Sequence, residues 1–226
     1  MARTKTTSYH PAGEDYWEIP DVKYKGDTEI WGVCEKMTPS VDYVHLAEIY
    51  NQEKPKGNPH PANSMLNFAI FDAGTRLKSK IAHDEFVGLM RFIQKGLAQF
   101  PNTLTMINYC SSSNIDGEKP DRIIHNHGAS DEFFYETNLV GEDGEIGKIP
   151  DKNNLELLLG NKNIKRINNI TNTINRTPMY LGRLNSKPSE NEKKVVRFGA
   201  GPYRLDLGCH WDPSTWCPAF RVFRID

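Results

Sequence analysis

The chain has 226 residues, 28 Lys and Arg against 29 Asp and Glu, a formal net charge of −1 and 38% hydrophobic residues. That length fits one large domain or two small ones, and the totals exclude a disordered, collagenous or disulfide-scaffold chain. The near-neutral balance argues against a dedicated nucleic-acid coat, which needs a surplus of Lys and Arg on some face.

The opening residues, MARTKTTSYHPAGEDYWEIP, hold no apolar core of the kind a signal peptide or anchor requires. Elsewhere no apolar run nears the roughly 18 residues needed to span a bilayer. A soluble product made in the cytoplasm, without membrane insertion, is the expectation. The first forty residues read as extended structure, with Tyr9, Tyr16, Trp17, Tyr24 and Trp31 punctuated by Pro11, Gly13, Pro20 and Gly26. Glu29 to Cys34 reads as a strand. Thr38-Pro39 offers an N-cap and a first-turn proline, and Tyr43, Leu46, Ala47 and Tyr50 share one helical face, which predicts a helix over 39–51. Residues 51–64, rich in proline and asparagine, read as a loop.

Met65 to Phe71 suits a buried strand or a short helix equally. From Asp84, the spacing of Phe86, Leu89, Met90, Ile93 and Leu97 predicts a second amphipathic helix that stops before Pro101. Leu104 to Cys110 reads as a strand, 111–120 as a polar loop, and Ile123-Ile124 as a short strand running into His125-Asn126-His127. Gly141 to Gly147 carry turn signals. Asp151 to Leu159 begins like a capped helix and stops at Gly160. Ile164, Ile167, Ile170 and Ile174 mark a helical face in an Asn- and Thr-rich segment that only tertiary packing would hold. Then come short strands: Met179 to Leu181, Val195 to Phe198, Leu205 to Cys209 and Phe220 to Ile225. The order predicts an α+β fold with antiparallel sheets and two main amphipathic helices, in a single domain over 1–226.

In residues 204–212, RLDLGCHWD, the apolar set Leu205, Leu207, Cys209 and Trp211 alternates with Arg204, Asp206, Gly208, His210 and Asp212. Period-two alternation puts the first set into a core and the second on an exposed face. Pro213 to Cys217 form a turn mixing hydroxyls, Trp216 and a thiol. VVRFGAG, RLDLGC and PAFRVFRI together resemble the end of C-type-lectin-fold proteins of the formylglycine-generating-enzyme-like branch. Within that branch the segment is most similar to the variable proteins of diversity-generating retroelements, particularly archaeal ones, and the resemblance covers about the last 50 residues. In that family a retroelement rewrites adenine-containing codons, so ligand-contacting residues become hypervariable on a fixed framework.

The resemblance implies a noncatalytic, receptor-type ligand-binding protein without a cofactor, its ligand a protein or a cell-surface molecule, and 195–226 the variable-region segment. The framework would be Val195, Val196, Phe198, Leu205, Leu207, Cys209 and 218–222. The diversified positions would come from Tyr203, Arg204, Asp206, Gly208, His210, Asp212, Ser214, Thr215 and Cys217. Trp211 and Trp216 depart from the family pattern, since a tryptophan codon contains no adenine, and read as fixed aromatic contacts or as products of a different template codon. Aromatic rings supply contact area at low side-chain entropy and small polar groups add adaptable hydrogen bonds, which suits a binding role. The bland alternative is the last hairpin of a β-rich domain.

Four widely spaced cysteines, Cys34, Cys110, Cys209 and Cys217, fit reduced thiols better than a framework, with a Cys209–Cys217 bridge as the oxidative alternative. The rival function is a cysteine- or metal-dependent enzyme of the same fold, pairing Cys110, Cys209 or Cys217 with His125 or His127, the two histidines sharing one face of a strand. The HNH tripeptide is a weak nuclease match, because that motif describes separated residues. Eight Lys and Arg face two Glu over 161–194, a stretch that reads as a solvated face or an anion contact. Gly141-Glu142-Asp143-Gly144 reads as an acidic turn without EF-hand spacing.

Overall fold

In the computed structural model, which describes residues 5–6, 15–112, 119–149 and 152–225, the alternating and helical patterns become two sheets with five α-helices among those residues. In chain order the elements are β1 (Lys5–Thr6), β2 (Tyr16–Tyr24), β3 (Asp27–Cys34), α1 (Tyr43–Glu53), β4 (His60–Pro61), α2 (Ser64–Arg76) and α3 (His83–Leu97). They continue with β5 (Asn102–Tyr109), β6 (Asp121–His125), β7 (Phe133–Thr137), β8 (Gly144–Glu145), α4 (Lys152–Leu159) and α5 (Ile164–Asn175). The last four strands are β9 (Met179–Gly182), β10 (Glu192–Ala200), β11 (Leu205–Trp211) and β12 (Arg221–Ile225). The class is α+β. Tyr9, Pro11, Gly13 and Asp151 lie outside the described residues.

One sheet has the order β1-β2-β3-β12-β4 and the other β7-β6-β5-β10-β11-β9-β8. The expectation of wholly antiparallel sheets needs correction, because β9 pairs parallel with β11. The link over 183–191 carries the chain past β11, so β10 joins its other edge, antiparallel to it and beside β5. Beside the two main helices, α1 and α3, stand three more: α4 and α5 match the helical segments expected at 151–159 and 164–174, and α2 takes the helical alternative for 65–71. The three additional ones, α2, α4 and α5, enter the same core: its largest cluster runs from Trp17 to Val222 and includes Phe68, Leu155 and Ile170.

The first helix starts later than Thr38-Pro39 suggests. Asp42 is the N-cap, accepting from the His45 backbone N–H at 3.0 Å, while Thr38 is buried and its hydroxyl accepts from the Ala219 N–H at 2.8 Å. The loop expected over 51–64 is partly structured, with a 3-10 turn at 54–56 and β4 paired to β12. Met65 to Phe71 belongs to α2, capped by Asn63 through the Leu66 N–H at 2.9 Å. In α3 the five apolar residues that mark its face are all buried. Packing holds α5 through Ile167, Ile170, Thr171 and Ile174, as its weak helix formers require. No helix among the described residues is long and apolar enough to cross a membrane.

Candidate binding face

On β11, Leu205, Leu207 and Cys209 are buried in the core, as the alternation predicts. Trp211 is not with them. Val195 on β10 pairs with Trp211 and Arg197 pairs with Gly208, so two steps along β10 oppose three along β11. This bulge inserts one residue and turns Trp211 onto the face of Asp206 and Gly208, which corrects its expected inward placement. The same point of β10 is irregular against β5, where Val195 pairs with Met106 and Arg197 with Asn102. Between them the Val196 carbonyl is satisfied by the Thr103 hydroxyl at 2.8 Å.

Three glycines form the floor of this face. Gly182 on β9 is paired with Gly208 on β11, and Gly199 on β10 with Asp206. A ring lies on each: His210 over Gly182, Phe100 over Gly199 and Trp211 over Gly208. A Cβ on Gly182 would stand 2.9 Å from His210 Cε1, and one on Gly199 would stand 2.5 Å from Phe100 Cδ1. Gly208 is therefore buried beneath an indole, which corrects its expected exposure. Without side chains in the floor, the rings approach the backbone closely, and His210 stacks on Trp211 at 5.6 Å. Phe100 reaches its place through a left-handed backbone, φ +52°, a cost a phenylalanine bears only where its surroundings enforce it.

Charged groups frame the rings. Arg204 bonds Asp206 (Nε to Oδ1, 2.7 Å) and lies over the Tyr180 ring at 4.3 Å. Burial raises the Asp206 carboxyl above its usual range, with the Arg204 charge opposing the shift. Arg197, 2% exposed, lies 4.7 Å from the Trp211 ring centre, and its Nε donates to Asn102 Oδ1. Burial lowers its pKa while Cys217 and Asp212 oppose the shift. Together Phe100, Asp143, Tyr180, Gly182, Arg197, Gly199, Arg204, Asp206, Gly208, His210 and Trp211 line a cavity of about 80 Å³.

The other expected site residues lie beside this cavity without lining it. Tyr203 is 88% exposed on the turn between β10 and β11, and Trp216 is 65% exposed near the His45 ring, 6.5 Å between centres. Asp212 folds the next turn: its Oδ1 accepts from the Ser214 N–H at 2.8 Å and hydroxyl at 2.6 Å, which holds the carboxyl below the usual range. Ser214 and Thr215 are exposed there, and the Thr215 carbonyl accepts from Arg197 Nη2 at 3.2 Å. Cys217 is half-buried, its backbone bridged to Val41.

The residues of the rival enzyme are placed differently. His125 is buried between the Thr105 hydroxyl (Nδ1, 2.9 Å) and the Leu157 carbonyl (Nε2, 2.8 Å), and burial pushes its pKa down to about 4. His127 follows Asn126, whose φ of +54° ends β6, so the two histidines do not share a strand face. His127 Nδ1 contacts Glu132 Oε2 at 2.8 Å. Cys209 is wholly buried, its thiol pKa pushed up by that burial, and Cys110 donates to the Pro120 carbonyl at 3.0 Å. All four cysteines are free thiols, and no cluster of three metal-ligating side chains occurs among the described residues. In the basic run of 161–194, Arg166 pairs with Asp72, Lys162 with Glu156 and Lys194 with Glu192. In the acidic turn, Asp143 accepts from the Arg183 N–H at 2.6 Å and Glu142 offers its carbonyl to Arg183 Nε at 3.3 Å.

Sequence reasoning missed Phe100, Asp143, Tyr180, Gly182, Arg197 and Gly199. Two of them carried a signal: Gly182 and Gly199, like Gly208, sit inside strand patterns, where glycine marks close approach of another group. No family model matches the chain, and neither does any curated protein or solved structure.

Proposed function

We propose that the chain is a noncatalytic ligand-binding protein of C-type lectin-like organisation, in which residues 203–217 form a receptor face diversified by a retroelement. The observation that carries this reading is convergence. Arg204, Asp206, Gly208, His210 and Trp211, singled out in the sequence, line one cavity, and their alternates Leu205, Leu207 and Cys209 are sealed in the core. Exchange of Arg204, Asp206 and His210 therefore leaves the framework untouched, whereas Gly208 is held beneath the Trp211 indole. Tyr203, Ser214, Thr215 and Trp216 extend the face with exposed aromatic and hydroxyl groups suited to a protein or cell-surface ligand. The burial of Cys209 and the fully bonded ring of His125 speak for binding over a cysteine–histidine enzyme.

Replacing Arg204, Asp206, His210 and Asp212 together tests the reading. Binding to a captured target changes while thermal stability stays within about 1 kcal/mol of the parent; cooperative loss of folding would overturn it. The flanking DNA gives an independent check. A reverse transcriptase gene with a near-repeat of the segment encoding 195–226, differing chiefly at adenines, is expected, and its absence would leave the binding face without a diversifying mechanism.

A further inference from the structure

Beneath this face lies a cation that alternation along β11 passes over. Arg197 belongs to β10, pairs with Gly208 on one side and Asn102 on the other, is 2% exposed and lines the cavity. Two of its donors are engaged, Nε by Asn102 and Nη2 by the Thr215 carbonyl. A guanidinium carries five N–H donors, and neither of these partners brings a negative charge. The nearby acids bond other groups: Asp206 holds Arg204, Asp143 takes the Arg183 N–H, and Asp212, which acts on Arg197 through its charge alone, holds Ser214. Among the described residues no carboxylate lies within ion-pair distance of Arg197. A buried cation whose opposing charge on Asp212 makes no ion pair with it is a costly arrangement, and a ligand carboxylate would complete it.

We infer that Arg197 is a fixed charge reader for this face, and that the cavity takes a carboxylate presented by a protein partner, either an acidic side chain or a chain terminus. The inference rests on the reading of 203–217 as a binding face. The guanidinium fork matches a planar carboxylate, and a cavity of about 80 Å³ admits a group of that size. Asp143 and Asp206 on the same walls repel a polyanion, which favours a singly charged carboxylate over phosphate. Phe100, His210 and Trp211 offer rings to the methylenes behind the carboxylate. Arg197 lies within the variable-region segment 195–226 but outside the diversified positions of 203–217, so on that reading this anchor stays constant while its surroundings change, and it restricts the variants of the face to ligands that share one charge.

Titration of the ¹⁵N-labelled full chain tests this, read at the Arg197 Nε–H and Trp211 Nε1–H resonances. The probes are N-acetylglycine, N-acetylglutamate α-methylamide, their neutral amide counterparts and inorganic phosphate. Expected are saturable shifts with at least one carboxylate, about tenfold weaker with amides and phosphate; which carboxylate responds separates a chain end from a side chain. Arg197→Lys, which keeps the charge but loses the fork, weakens the response about tenfold further. Should that variant fail to fold, the carboxylate-against-amide comparison on the parent decides alone. Resonances unmoved by both carboxylates, or moved equally by amides or phosphate, would overturn the assignment. The quadruple variant above tests the face without touching Arg197, so the two failures are distinguishable.

Discussion

Trp211 and Gly208 stand three residues apart on one strand, and the indole Nε1 of Trp211 occupies the space that a Cβ on Gly208 would need. Gly208→Ala therefore displaces the ring and its contact with Arg197, at a cost of about 1–3 kcal/mol. Gly182→Ala meets only the exposed ring of His210, which can swing away, and costs less than about 1 kcal/mol. Thermal denaturation of the pair checks the order; equal losses would mean that the indole does not rest on its glycine.

Core and face should respond differently to truncation. Phe198→Ala, at a buried ring packed edge-on against Phe71, is expected to cost about 3–5 kcal/mol. Trp216→Ala, at a ring that is mostly exposed, is expected to stay within about 0.5 kcal/mol of the parent by urea unfolding.

Acid should weaken the fold ahead of carboxylate titration. Burial pushes His60 and His125 down to about 4 from 6.5, so between those pH values the unfolded chain binds protons that the folded chain does not. Their contribution is fully present above pH 6.5 and is lost as pH falls toward 4, about 3 kcal/mol for each. Urea midpoints measured from pH 7 to pH 4 follow this loss, and a flat profile would mean that both rings are protonated in the folded chain.

Asn63 serves two structures at once. Its Oδ1 caps α2 and its Nδ2 donates to Tyr24 at 2.7 Å and to Asn126 Oδ1 at 2.8 Å, all in the buried zone between the sheets. Asn63→Ala removes the cap and orphans the buried partners, with an expected loss of about 2–4 kcal/mol by calorimetry. Asn63→Asp keeps the cap alone and should recover only part of that.

Thiol accessibility divides the cysteines. Alkylation of the native chain followed by mass spectrometry should label Cys110 and Cys217 and spare the buried Cys34 and Cys209. Rapid labelling of Cys209 would contradict its place in the core.

How much of this was legible in the sequence depended on whether the signal was local. The face of α3 was legible because its five apolar residues follow one helical stripe. The helix α2 was ambiguous because it is buried nearly all round, from Leu66 to Gly74, and such a run has no polar face to give it a period. Along β11 the alternation placed Arg204, Asp206 and His210, but Trp211 was misread because a bulge belongs to the pairing of two strands and leaves no mark in one of them. Arg197, Tyr180 and Phe100 were missed for the same reason: β9, β10 and the turn before β5 bring them to the face, and nothing in their own neighbourhoods announces it.

The pairing of β12 with β3 sets a condition on how the chain folds. Arg224 and Glu29 form an ion pair across 195 positions, and the strands that carry them are hydrogen-bonded from Ile30 with Ile225 to Val33 with Val222. Closing so long a loop costs entropy before any contact rewards it, so this sheet assembles late and the chain folds slowly, on the order of milliseconds to seconds. Within 204–217, β11 is held by β10 and β9, while the turn over 212–217 leads into β12. The turn over 212–217 is therefore the part of the face that depends on β12, and loss of that pairing would loosen it while β11 stays held.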